Sequence, residues 1–114
     1  MTTPQDVALI DAGKGVAMFE KVEVPIFGIV ENMSHFSCPH CGQRTDIFKH
    51  GGGKKEANRV GVPFLGEIPL DPAVVLGGDA GTPIVVRDLD SPTARAFFDL
   101  ARGIVGALEE AERG

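Results

Sequence analysis

The sequence predicts an α/β fold built around a short parallel sheet, and three observations predict it. Two apolar runs entered through proline, Val24-Pro25-Ile26-Phe27-Gly28-Ile29-Val30 and Val62-Pro63-Phe64-Leu65-Gly66-Glu67-Ile68, repeat one pattern 38 residues apart. Each suits a buried strand whose first N–H is not needed by the ladder. Helical patterns lie before, between and after these runs, and strands alternating with helices make a parallel sheet with helical cover.

Taken in order, the first element is a helix. Thr3 offers a hydroxyl cap and Pro4 a first position where a missing N–H costs nothing. Ala8, Ala12, Val16 and Phe19 follow at near-helical spacing, Val7 and Leu9 broaden the apolar face, and Gly13 and Gly15 weaken it. No strand precedes this helix. The run 24–30 is the first strand, a short polar helix spans about Gly53 to Arg59, and the run 62–68 is the second strand. Asp71 can cap a short helix starting at Pro72. Gly81-Thr82-Pro83-Ile84-Val85-Val86 reads as a weaker third strand. Ser91 and Pro92 open the clearest helix, with Ala94, Phe97, Phe98, Ala101, Ile104, Val105 and Leu108 as its apolar stripe. The tail from Glu109 to Gly114 reads as a solvated, fraying end. Two or three strands are few for a doubly wound sheet. Residues 1–114 therefore read as a single α/β unit, part of a larger domain whose N-terminal half is lacking.

The 114 residues suffice for one core. Aromatic content is 6%, all of it Phe, so Val, Ile and Leu carry most of that core. A formal net charge of -5 excludes a nucleic-acid binder or an anionic-membrane binder that works by charge. No apolar run is long enough to span a bilayer and no signal segment opens the chain, so the expectation is a soluble cytoplasmic protein. In a reducing compartment the two cysteines are metal ligands or redox thiols before they are a disulfide.

Those cysteines stand together in Cys38-Pro39-His40-Cys41-Gly42, within a loop at 35–53 that follows the first strand. A C-x-x-C turn puts both sulfurs on one side of a tight loop, and Gly42 lets the backbone N–H groups turn toward them. A tetrahedral thiolate site takes four ligands, so the chain holds half a site. The other half is either His35, His40 or His50, or the same pair from a second chain across a twofold axis, which suits zinc or an iron–sulfur cluster. The rival is dithiol–disulfide chemistry, in which the first cysteine opens a helix. Gly42-Gln43-Arg44-Thr45-Asp46 has no helical periodicity and weakens that reading.

Two glycine stretches invite a phosphate reading and fail it. Gly13-Lys14-Gly15 lies inside a helical pattern, and Gly51-Gly52-Gly53-Lys54 follows no strand and has Lys55 where a hydroxyl should bind magnesium. The triple glycine is read instead as a tight entry to the next helix. Ligands of open α/β sheets sit beyond the carboxyl ends of the strands, which brings forward Asn32 and Asp71 as readers of a base edge. Each also has an ordinary role available, as turn residue and as helix cap.

The stretches Thr3-Pro4-Gln5-Asp6-Val7-Ala8-Leu9, Gly28-Ile29-Val30-Glu31-Asn32-Met33-Ser34, Cys38-Pro39-His40-Cys41-Gly42, Gly51-Gly52-Gly53, Gly66-Glu67-Ile68-Pro69-Leu70-Asp71-Pro72 and Gly77-Gly78-Asp79-Ala80-Gly81-Thr82-Pro83 resemble, in the same order, those of Mrp-type ATPases. These are MinD/ParA-related P-loop proteins with a Rossmann-like parallel sheet that carry iron–sulfur clusters, and the resemblance runs from Thr2 through the final helix. It implies a homodimer holding a 4Fe–4S cluster between the Cys38 and Cys41 pairs of two subunits, for delivery to apo iron–sulfur proteins. It also implies adenine contacts at Asn32, with Pro69 and Asp71 beside the base and Gln5 nearby. The family's N-terminal half, with its phosphate loop, catalytic lysine and magnesium ligands, is absent from this sequence. ATP hydrolysis by this chain alone is therefore not expected. A zinc-stapled dimerisation module and a dithiol–disulfide oxidoreductase stand as the alternatives.

Overall fold

The computed structural model describes residues 1–38, 40–49 and 51–113. In chain order it contains α1 (Asp6–Lys21), β1 (Ile29–Glu31), β2 (Phe36–Ser37), β3 (Arg44–Thr45), α2 (Gly52–Val60), β4 (Phe64–Glu67), α3 (Pro72–Asp79), α4 (Ile84–Arg87) and α5 (Pro92–Arg113). The expected α/β architecture is present, and the two repeated runs are neighbours. β1 and β4 pair in parallel, with Ile29 opposite Phe64, Val30 opposite Gly66 and Glu31 opposite Glu67, and an irregularity after Ile29. A parallel pair needs a long crossover to bring the chain back to the same end, and α2 lies on that crossover.

Both strands are shorter than the runs that predicted them, and β1 ends one residue past its run, at Glu31. Pro25 and Pro63 have no N–H to give a ladder. Val24 turns its own N–H to Phe19 O (2.9 Å), finishing α1 instead, and Pro63 enters the sheet only through its carbonyl, which accepts from Ile29 N (2.9 Å). All three residues of β1 are buried. The core lies between β1, α1 and α2, where Val16, Ile29 and Ala57 are buried with Ile26, Val60, Val62 and Phe64 packed around them. α5 packs against β4.

Several expectations are corrected. α1 starts at Asp6 rather than after Thr3. Gln5 occupies the cap position without a side-chain capping bond, while the Thr3 hydroxyl donates to Gln5 Oε1. The residues ahead of α1 are not idle: Thr2 pairs in parallel with Glu31, through Thr2 N to Val30 O (2.8 Å) and Asn32 N to Thr2 O (2.7 Å). β1 therefore has neighbours on both sides. Val7 lies outside the apolar face of α1 and is exposed. Gly81–Val86 forms no strand. Pro83 cannot donate to a ladder, and the N–H groups of Val86 and Arg87 both turn back to its carbonyl, making α4. In α5 only Ala94 of the expected stripe is buried, with Phe97 and Ile104 half-buried and Val105 and Leu108 exposed. The helix continues through Arg113 instead of fraying from Glu109, and Gly114 lies outside the described residues. No helix among the described residues is long and apolar enough to cross a membrane.

Candidate metal centre and the neighbouring cleft

The cysteines sit on a β-hairpin. β2 and β3 are antiparallel, with Phe36 opposite Thr45 and Ser37 opposite Arg44. Cys38 N donates to Gln43 O (3.0 Å) and Gly42 N to Cys38 O (2.8 Å), closing a knuckle at the tip. Gly42 sits at φ 72°, a left-handed turn that a side chain would strain, and its own N–H goes to the Cys38 carbonyl and not to a sulfur. Both thiols are free, Cys38 half-buried and Cys41 exposed. Pro39 lies outside the described residues. The backbone N–H groups of His40 and Cys41, followed by the Cys41 thiol, stabilise the Cys38 thiolate and hold its pKa below that of an ordinary thiol, while burial acts weakly the other way. A lowered thiol pKa favours the form that binds soft metals. Cys38 opens no helix; it stands in a hairpin turn.

The histidines divide. His40 is exposed at the tip, whereas His35 is largely withdrawn from solvent. Its side chain is only 16% exposed, with Nδ1 3.8 Å from Glu67 Oε1. His50 lies outside the described residues. Among the described residues no group of three or more Cys, His, Asp or Glu side chains gathers as a metal site. The cysteine pair brings two candidate ligands.

Beneath the hairpin lies a polar cluster that sequence reasoning missed. Glu31, at the end of β1, is fully buried. Its Oε1 accepts from Gly53 N (2.9 Å), and its Oε2 accepts from the Ser34 hydroxyl (2.5 Å). The same hydroxyl oxygen is 2.7 Å from Glu67 Oε2, at the end of β4. The triple glycine takes its reason from this contact. A Cβ on Gly53 would come within 3.0 Å of Glu31 Cβ and 3.1 Å of the Phe64 ring. The helix start that invited a phosphate reading is met by the chain's own carboxylate. The available signal was an acid ending an apolar strand, with a serine three residues on.

Past the strands, the loops 31–35 and 68–70 are joined by Ile68 N to Glu31 O (2.8 Å), Ser34 N to Ile68 O (3.0 Å) and Leu70 N to His35 O (2.7 Å). This seam brings three of the four candidate nucleotide residues together: Asn32, Pro69 and Asp71 line one cleft of about 110 Å³, closed by Val75 and Phe97. Gln5 is not among its walls and lies exposed at the start of α1. Asn32 Oδ1 accepts from Met33 N (2.9 Å) in a local turn. Asp71 caps α3 as its sequence position implied, accepting from Ala73 N at Oδ1 (2.9 Å) and from the Thr93 hydroxyl at Oδ2 (2.7 Å). A second hollow of about 450 Å³ lies against the hairpin, lined by His35, Phe36 and Cys38 on one side and Pro72 and Thr93 on the other. Pro69, Leu70 and Asp71 wall both spaces.

Comparison with known proteins is consistent with this geometry. Residues 1–105 match the family described as ParA: NUBPL iron-transfer P-loop NTPase. An iron-sulfur cluster carrier protein of Pyrococcus horikoshii is 52% identical over 110 residues, covering 96% of this chain and 37% of the relative. The chain thus spans little more than a third of that relative's length. Among solved structures, the cell division ATPase MinD of Pyrococcus furiosus superposes with a TM-score of 0.73 at 28% identity, over 93% of this chain and 40% of MinD. A nucleotide-binding protein of Archaeoglobus fulgidus in complex with ADP gives 0.64 at 34% identity, over 84% of this chain and 38% of that one.

Proposed function

The chain belongs to the NUBPL iron-transfer P-loop NTPase family, and from that membership we propose that it carries an iron–sulfur cluster between two copies of itself. Cys38 and Cys41 of each copy supply the four thiolates, the cargo is a 4Fe–4S cluster, and the recipients are apo iron–sulfur proteins. The observation that carries this reading is the knuckle. It holds two free thiols, one of them exposed, and no third ligand stands with them among the described residues. Soft thiolates suit iron–sulfur clusters, and a twofold axis doubles two ligands into four. The exposed sulfur is the side from which a recipient's thiolates can take over the iron bonds one at a time.

The nucleotide side belongs to the same reading. Asn32, Pro69 and Asp71 would hold an adenine edge, with Gln5 the weaker contributor. Adenine contacts without phosphate contacts leave little affinity once the ligand is ordered. Binding of ATP to this chain alone is expected to be no tighter than about millimolar, about -4 kcal/mol, without turnover.

The test is anaerobic reconstitution with iron and sulfide, followed by metal analysis and a mass measurement. A brown dimer with four irons is expected, and Cys38→Ser or Cys41→Ser should abolish metal binding and metal-dependent dimerisation together. A colourless zinc dimer would support the dimerisation module instead. A Cys38→Ser chain that keeps one metal per monomer would overturn the shared site.

A further inference from the structure

The cysteine hairpin is weakly held. Its strands are two residues each, and among the described residues its backbone packs against no other helix or strand. Its stem is tied on the β2 side by the bond from Leu70 N to His35 O. On the β3 side a side chain ties it as well: Arg44 Nη1 lies 3.6 Å from Glu67 Oε1, while Arg44 Nε also reaches Asp46 Oδ1 (3.2 Å). Glu67 thus meets three parts of the same loop. Oε2 contacts the Ser34 hydroxyl, and Oε1 faces both the His35 ring and the Arg44 guanidinium. Glu67 itself is anchored at the end of β4, opposite Glu31 in the sheet register.

We propose that Glu67 is the positioning residue of the metal centre, the clamp that fixes the cysteine hairpin on the sheet and so sets how firmly the pair holds its cargo. The proposal rests on the cargo reading for its consequence and on the geometry around Glu67 for its substance. A carboxylate touching both strands' flanks restricts the hairpin's rocking. A thiolate pair that rocks less keeps its two sulfurs at one spacing, and a metal leaves more slowly from ligands that need not be reordered. Ser34 extends the clamp inward to the buried Glu31, so the hairpin is referred to the core of the sheet and not to a surface loop.

Two variants separate the contributions. Glu67→Ala removes every contact, while Glu67→Gln can still donate an amide N–H to the Ser34 oxygen and loses the charge that faces Arg44. The first readout is amide exchange in the metal-free protein. The N–H groups of Cys38 and Gly42, both bonded within the knuckle, should exchange about three- to tenfold faster in Glu67→Ala and less so in Glu67→Gln, the range for losing a partly exposed ion pair plus a hydrogen bond. The N–H groups of Ile29 and Lys55, bonded elsewhere in the fold, should keep their wild-type rates. The second readout is removal of iron by a chelator from the reconstituted protein, which should accelerate in the same order. Hairpin amides at wild-type rates in both variants would overturn the clamp. So would equal acceleration at Ile29 and Lys55, which would mark Glu67 as a general stabiliser. If the wild-type chain takes up no iron, the cargo reading falls, and the exchange pattern still decides the clamp.

Discussion

Cys38 and Cys41 share one turn but not one environment. The sulfur of Cys38 receives the His40 and Cys41 backbone N–H groups and the Cys41 thiol, all of which favour its charged form. Since only the thiolate reacts, the rate of alkylation of Cys38 should climb with pH and level off at a midpoint below the ordinary thiol range. Cys41→Ala removes one of these donors and keeps the two backbone ones. The midpoint should then move up, toward the ordinary value, without reaching it. A profile that stays in place, followed by mass spectrometry of the single-cysteine protein, would show that the Cys41 thiol contributes nothing. Neighbouring side chains were harder to read from the sequence. Spacing singled out the cysteines because two thiols one knuckle apart are rare by chance. Nothing in Glu31, Ser34 or Glu67 taken singly announces that the three meet, because they do so only once β1 and β4 lie side by side.

At the scale of elements, Asp71 joins two helices. It caps α3 through Ala73 N and accepts from Thr93 in the first turn of α5. Asp71→Ala should lower stability by about 1–3 kcal/mol, the cost of a lost cap plus an unpartnered buried hydroxyl. Asp71→Asn keeps one acceptor oxygen and should recover part of that, as urea unfolding would show. Equal stability of Asp71→Ala and wild type would remove Asp71 from the structural account and leave only its place in the cleft. Caps of this kind were readable because a capping residue, a proline and the helix they open are adjacent in sequence. Likewise the repeated apolar runs gave the parallel pair. The hairpin was not readable, since four strand residues, of which Arg44 and Thr45 are exposed, offer no apolar alternation. Gly81–Val86 misled for the opposite reason. Its β-branched residues favour a strand, but no strand edge receives them and the carbonyl of Pro83 does.

The molecule as a whole leaves apolar side chains in water. Val7, Ile10 and Met18 of α1 are 75%, 58% and 55% exposed, and Val105 and Leu108 of α5 are also exposed. Faces of this kind associate unless something covers them. The 114-residue chain is therefore expected to sediment as more than a monomer in metal-free buffer, and Val7→Lys with Ile10→Lys should reduce that association. A metal-free monomer that persists as the concentration is raised would show that these faces are tolerated as they stand. The segment Pro69–Asp71 has a further consequence. It is a party wall, with the cleft at Asn32 on one side and the hollow at Cys38 on the other. It is also pinned, by Leu70 N to His35 O and by Asp71 to Ala73 and Thr93. A partition so fastened gives neither room any slack of its own, and whatever displaces it must enlarge one room at the expense of the other.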